Sequence, residues 1–182
     1  MQTHESGGND MSAKYEKGTY VRCGSSGVCL IEDIRPMSLP GTGLSGDYYV
    51  FRAEGSDSSV IYVPVNNEKM TAAMVPVLNV EEIRDIIRAS ADDPLPWIED
   101  RKERTEQQRD ILRRCDRREL LGMISSLYLR RNRLAASGRK LAGSDENVLR
   151  QAERLINNEL TFVLGIEESQ VGEYIRSLLE ER

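Results

Sequence analysis

Short apolar runs broken by glycine, proline and serine fill residues 15 to 65, and this pattern predicts β-strands. GTYVRC (18–23) reads as a short strand, and GVCLIEDI (27–34) follows the turn GSSG. RPMSLPGTGLSG (35–46) predicts a loop. DYYVFRA (47–53) is a third strand, EGSDSS (54–59) a turn and SVIYVPV (59–65) a fourth strand, and MVPVL (74–78) holds a last short one. Five short strands with frequent turns predict a small, strongly bent barrel of the SH3 or Tudor kind.

The period then changes to that of helices. In NVEEIRDIIRAS (79–90), Asn79 is placed to cap, Glu82 occupies the capping-box position, and Val80, Ile83, Ile86 and Ile87 share one face. ADDPLP (91–96) breaks the chain and marks the best domain boundary. A helix is expected from Trp97 to Arg114. A second capping box, Asp116 to Glu119, opens a helix to Ala136 with Leu120, Leu121, Ile124, Leu127 and Tyr128 inward. After the loop GRKLAG (138–143), Ser144 is expected to cap a long helix with the stripe Val148, Leu149, Ala152, Leu155, Ile156 and Leu160. ESQVGEYIRSLLEE (168–181) is a terminal helix. The expected architecture is α+β: an N-terminal β domain over 14–78, a helix and linker over 79–96, and an all-α helical-bundle domain over 97–182. Residues 1–13, polar and glycine-rich, are expected to be a disordered extension, and Met11 is an alternative start.

At 182 residues with 39% hydrophobic and 30% charged side chains, the chain has the size and composition of one or two globular domains. No apolar run approaches the roughly 20 residues of a membrane span, and the opening residues lack the apolar centre of a signal peptide. A soluble cytoplasmic protein and a monomer are expected. Cys23, Cys29 and Cys115 are an odd set, and His4 is the one histidine. Packed thiols are favoured over a disulfide or a zinc site, and no metal or cofactor is expected.

Charge changes the picture. The chain carries -5 overall, yet residues 101–140 hold thirteen basic side chains against Glu103, Glu106, Asp110, Asp116 and Glu119, a local balance of 13 - 5 = +8. Most charge runs are solvated helix faces, but this excess reads as a phosphate-facing surface. Trp97, the one tryptophan, stands beside Pro96 and ahead of Arg101, Lys102 and Arg104. Taken alone, it suits a staple of the helix start onto the bundle. With its cationic neighbours it suits an apolar wedge for an opened base step in the minor groove. As a wedge it is expected to be exposed and to cost little stability when cut to alanine.

The order YEKGTYVRCGSSGVCLIEDI, DYYVFRAEGSDSSVIYVPVNN, NVEEIRDIIRAS, then a Pro-led Trp and a helical tail, resembles the CarD family of bacterial transcription regulators from about Ala13 to the end. That resemblance implies a β domain like the polymerase-interacting domain of transcription-repair coupling factors, docking on the RNA polymerase β subunit. It also implies a helical domain that contacts promoter DNA at the upstream edge of the bubble and stabilises the open complex. The wedge carries over to Trp97 and a phosphate contact to Lys102, with Arg101, Arg104, Arg139 and Lys140 as further DNA-facing candidates. Arg35, Met37, Val60, Tyr62 and Pro64 are the polymerase-facing candidates. The chain departs from the family where a basic residue often follows the Trp, having Ile98 and Glu99, and where an Arg can precede Val-Pro, having Tyr62.

Three functions compete: a regulator bridging polymerase and DNA, a protein-interaction adaptor that uses the β barrel without touching DNA, and an enzyme. No P-loop, GxSxG or HExxH occurs in the sequence, so a non-enzymatic role without a small-molecule substrate or membrane partner is expected.

Overall fold

A computed structural model describes residues 13–39, 44–55 and 60–181. Residues 1–12 of the expected extension over 1–13, the tip of the expected loop at 40–43 and most of the turn at 54–59 lie outside the described residues, while Ala13 packs against the core of the sheet. The fold is α+β. Strands β1 (Tyr20–Cys23), β2 (Val28–Leu39), β3 (Leu44–Ala53), β4 (Val60–Pro64) and β5 (Met74–Pro76) form one antiparallel sheet in the order β4-β3-β2-β1-β5. Among the described residues β4 and β5 are its edges and no ladder joins them, so the sheet is open.

Segment 35–46 departs from the expected loop. It continues β2 and β3, with pairs running from Arg35–Tyr48 to Leu39–Leu44. Pro36 is tolerated there because β1 pairs β2 only over Val28–Leu30, which leaves one side of β2 without a strand partner farther on. One face of the sheet buries Val21, Cys29, Ile31, Tyr49, Phe51, Val63 and Met74 as a first core.

Six helices follow or interrupt the strands: α1 (Glu68–Ala72), α2 (Val80–Asp92), α3 (Arg101–Arg114), α4 (Arg117–Ala136), α5 (Gly143–Leu164) and α6 (Glu168–Glu180). Helix α1, one turn capped by Asn67, is too short to give a period. Asn79 and Glu82 make both halves of the expected box on α2. At α4, Asp116 caps through the Glu119 amide at 3.0 Å, but the Glu119 carboxylate turns to Arg114 instead. Helix α3 begins at Arg101, not Trp97, because Asp100 accepts from the Glu103 amide at 2.8 Å. Helix α5 begins at Gly143, one residue ahead of Ser144, with Ala142 as its cap. Asp145 in its first turn is drawn inward by partners on α3.

Ile111, Leu120, Met123, Leu127, Leu149 and Ala152 build one helical core. Ile83, Ile87, Leu121, Ile156, Leu160, Val171 and Leu178 build another, so α2 packs with α4, α5 and α6. Among the described residues, no helix is long and apolar enough to cross a membrane.

The sheet is fastened to the helices by polar groups. Glu159 on α5, 1% exposed, accepts from Arg117 Nε at 2.8 Å and Nη2 at 2.7 Å and from the Leu78 amide at 3.1 Å. Arg22 of β1, 2% exposed, lies 3.5 Å from the same carboxylate and donates to the Cys115 carbonyl at 2.5 Å. Burial, more than any neighbouring charge, lowers the Arg22 pKa from its ordinary value. Beside it, Val28 donates its amide to Asn158 Oδ1 at 2.7 Å, and Tyr20 meets Phe162 with centroids 4.8 Å apart. Gly27 is required here. Its φ is +75°, and a Cβ would stand 2.1 Å from Asn158 Oδ1.

Removing one partner of a buried ion pair leaves an uncompensated charge and costs about 3–5 kcal/mol. Glu159→Ala strands Arg22 and Arg117 together and is expected to lower urea-unfolding stability by that amount. A loss below about 1 kcal/mol would mean that the carboxylate does not hold the sheet against the helices.

Candidate nucleic-acid interface

Residues Asp93 to Asp100 form the connection from α2 to α3, and α4 fixes its path. The Leu95 amide donates to the Gly122 carbonyl at 3.1 Å, and a Cβ on Gly122 would come within 3.1 Å of Leu95 Cγ. Glycine in a helix costs about 1 kcal/mol against alanine. Here its missing side chain is the room that the loop occupies. Trp97 is thereby laid against the helical core with Leu95.

Trp97 is therefore half-buried and is not the exposed wedge that its sequence context suggests. Two guanidiniums lie over its ring: Arg104 Cζ at 4.6 Å from the centroid and Arg130 Cζ at 4.9 Å. Its indole N–H is buried without a protein acceptor among the described residues. The staple reading and the wedge reading thus meet in one residue, packed on one side and at the surface on the other.

Arg104 is the second departure. Its side chain is 12% exposed and donates from Nε and Nη2 to Asp145 at 3.3 and 3.4 Å, and from Nη1 to the Ile98 and Glu99 carbonyls at 2.8 and 3.1 Å. Gln108 adds a bond to Asp145 at 3.1 Å. These bonds engage all three guanidinium nitrogens, so Arg104 ties the tryptophan loop to the start of α5 and is not free to grip a phosphate. A buried guanidinium with a matched carboxylate has the geometry of a positioning group.

The other basic candidates stay in solvent. Arg101 and Lys102 are exposed in the first turn of α3, and Arg139 and Lys140 are exposed in the α4–α5 loop. Arg101, Lys102 and Arg109 border one shallow hollow with Asp100, Thr105 and Glu106. Several cations of the run are matched: Arg113 by Asp110, Arg114 by Glu119, Arg117 by Glu159 and Arg130 by Glu99. The +8 excess is consequently smaller at the surface than in the sequence. Arg130 and Arg133 were not separable from their neighbours by sequence. Both line a second hollow with Trp97, because one face of α4 carries them back to the proline loop.

The polymerase-facing candidates also come together. In the strand register Arg35 pairs with Tyr48, Tyr48 with Pro64, Val50 with Tyr62, Arg52 with Val60, and Met37 with Gly46. Directly paired residues share a face, so Arg35, Met37, Val60, Tyr62 and Pro64 lie on one side of the sheet, opposite Val63. Val60 at 38% and Tyr62 at 42% are among the most exposed large apolar side chains, and they sit on the edge strand β4.

The three cysteines are free thiols. The neighbouring Cys29 thiol, together with burial, raises the pKa of Cys23, and burial raises that of Cys115.

Cutting a fully buried aromatic to alanine costs about 3–5 kcal/mol, and a half-buried one about half of that. Trp97→Ala is expected to lose about 1.5–3 kcal/mol in thermal or urea unfolding. Arg104→Met, which strands Asp145, is expected to lose at least as much. Arg101→Gln and Lys102→Gln should stay within about 0.5 kcal/mol of the wild type. Equal stability of all four variants would refute the packed position of Trp97.

In comparisons with known proteins, no family model matches the chain, and no curated protein matches it.

Proposed function

We propose that the chain is a CarD-like transcription regulator. It binds the RNA polymerase β subunit through the outer face of its sheet and promoter DNA, at the upstream edge of the bubble, through the surface around Trp97. The observation that carries this reading is the gathering of solvent-facing cations beside a proline-led tryptophan in a chain that is acidic overall. In the finer form of the proposal the sheet is a bent SH3- or Tudor-like barrel, a reading supported by its strand order, in which β5 returns to lie beside β1.

The role proposed is non-enzymatic. Edge strand β4 offers unpaired backbone groups flanked by Val60 and Tyr62, the features needed for strand addition or for packing an aromatic on a partner. Polymerase supplies localisation, so the DNA contact becomes nearly intramolecular and works even when weak. Phosphate contacts hold the duplex, and Trp97 favours open over closed DNA. Only that difference in affinity moves the equilibrium. A second reading, an adaptor without DNA contact, draws support from the inward bonds of Arg104 and the packing of Trp97.

Titration against a purified β-subunit lobe tests the first half. Tyr62→Glu should weaken binding at least tenfold while melting at the wild-type temperature. Absence of wild-type binding at high micromolar concentration would end the polymerase reading. Open-complex lifetime under competitor tests the second half. A wild-type chain that binds polymerase and leaves that lifetime unchanged would favour the adaptor.

A further inference from the structure

Between the proline loop and α4 lies a hollow of about 200 Å³ whose walls include Pro94, Pro96, Trp97, Leu129, Arg130 and Arg133. Its composition is divided. Leu129, 46% exposed, and the two prolines give it an apolar wall. The two arginines, one helical turn apart on α4, supply the polar part. Arg133 is exposed, and no ion pair to it occurs among the described residues.

Arg130 is held in place and only loosely neutralised. Its guanidinium lies over Trp97, with Cζ 4.9 Å from the ring centroid. Its two terminal nitrogens reach Glu99 at 3.4 Å each, a long pair, and the Glu99 side chain is 75% exposed. An exposed, long carboxylate contact is weak, and a phosphate oxygen can displace it.

Apolar walls beside an oriented guanidinium suit one ligand chemistry in particular: a sugar-phosphate unit, with the ring carbons on Leu129 and the prolines and the phosphate on Arg130 and Arg133. No Asn or Gln side chain lines the hollow, so it holds no amide fork for a base edge. We propose that this hollow binds the sugar-phosphate backbone of the promoter strand, with Arg130 and Arg133 as its phosphate contacts and Glu99 as a built-in competitor for Arg130. The inference rests on the DNA half of the proposed function and moves the main phosphate grip from the first turn of α3 to the last turns of α4.

The test uses the full chain with RNA polymerase and a labelled promoter fragment whose upstream bubble edge is premelted, titrated at several KCl concentrations. Arg133→Gln is expected to flatten the contribution of the chain to the log–log salt slope by about 0.7–0.9, the share of one phosphate contact. Arg130→Gln should flatten it similarly, whereas Arg130→Lys should keep the slope. Glu99→Gln should tighten binding by about two- to tenfold. Arg133 is exposed, so its variant should melt as the wild type does, which keeps the result readable if Arg130→Gln is destabilised. Wild-type slopes in both Gln variants, alongside a wild-type chain that does add salt-dependent DNA affinity, would overturn the hollow as a backbone site and leave the proposed function standing. A wild-type chain that adds no DNA affinity to the polymerase complex would overturn both.

Discussion

Glu159 is the point on which the two halves of the molecule depend. One carboxylate on α5 serves Arg117 of α4, Arg22 of β1 and the backbone at Leu78, where the chain leaves the sheet for α2. Each partner belongs to a different part of the fold. Buried ion pairs contribute little net stability against an apolar alternative, because desolvation offsets attraction. What this arrangement does supply is directionality. A carboxylate that accepts from Arg117 and the Leu78 amide and also faces the Arg22 guanidinium at 3.5 Å admits few relative placements of sheet and helices, whereas an apolar seam could slide. Gly27 and Asn158 add to the same restriction, since the strand approaches α5 too closely there for any side chain.

On the proposed function, that restriction is useful in itself. A bridge between polymerase and DNA raises effective concentration only if both sites can be engaged at once. A floppy connection would dilute the gain, and a wrongly angled one would abolish it. The outer sheet face around Tyr62 and the α4 face around Arg130 are separate surfaces on a body clamped by Arg22, Arg117 and Glu159. The second clamp, Arg104 with Asp145 and Gln108, works at smaller scale. It joins the Pro-Trp loop to α3 and α5 so that the indole is presented by three helices and not by a free loop.

Much of the fold was legible because it is periodic. Ile83 and Ile87 on α2, Leu120 and Leu127 on α4, and Leu149, Ala152, Ile156 and Leu160 on α5 are all buried as their spacing required. Asn79 with Glu82 gave a helix start to the residue. Local signals failed where a distant partner decided the matter. Proline and glycine in 35–46 argued for a loop, yet the β3 ladder carries β2 through Pro36. Ser144 looked like a cap, yet Asp145 is pulled inward by Arg104 from 41 residues away. The site suffered in the same way. Sequence placed Trp97, Arg101, Lys102 and Arg104 together as neighbours in the chain. The fold turns Arg104 inward and brings in Arg130 and Arg133 from another helix. A basic run shows how many cations there are, but not which of them already have acids.

On the proposed function, that last point explains how an acidic chain can carry a cationic surface and still need a partner. Arg104, Arg113, Arg114, Arg117 and Arg130 are matched by carboxylates, so the field that remains comes from a handful of exposed side chains against a total charge of -5. Long-range attraction to a bare duplex is then weak, and indiscriminate binding along DNA is suppressed. Short-range contacts survive because the charges elsewhere on the chain, beyond a Debye length of about 8–10 Å, are largely screened. Such a surface does little until something else brings the phosphate close. Trp97 fits the same logic. Its ring already has guanidinium partners, so leaving the bundle face costs those contacts, and only an opened base step returns comparable stacking, about 1–3 kcal/mol. Closed DNA offers no such return. Burial of the indole, which supports the adaptor reading, is in this way also compatible with the proposed role at the bubble edge. On the proposed function it sets a threshold that duplex DNA fails to meet and melted DNA can.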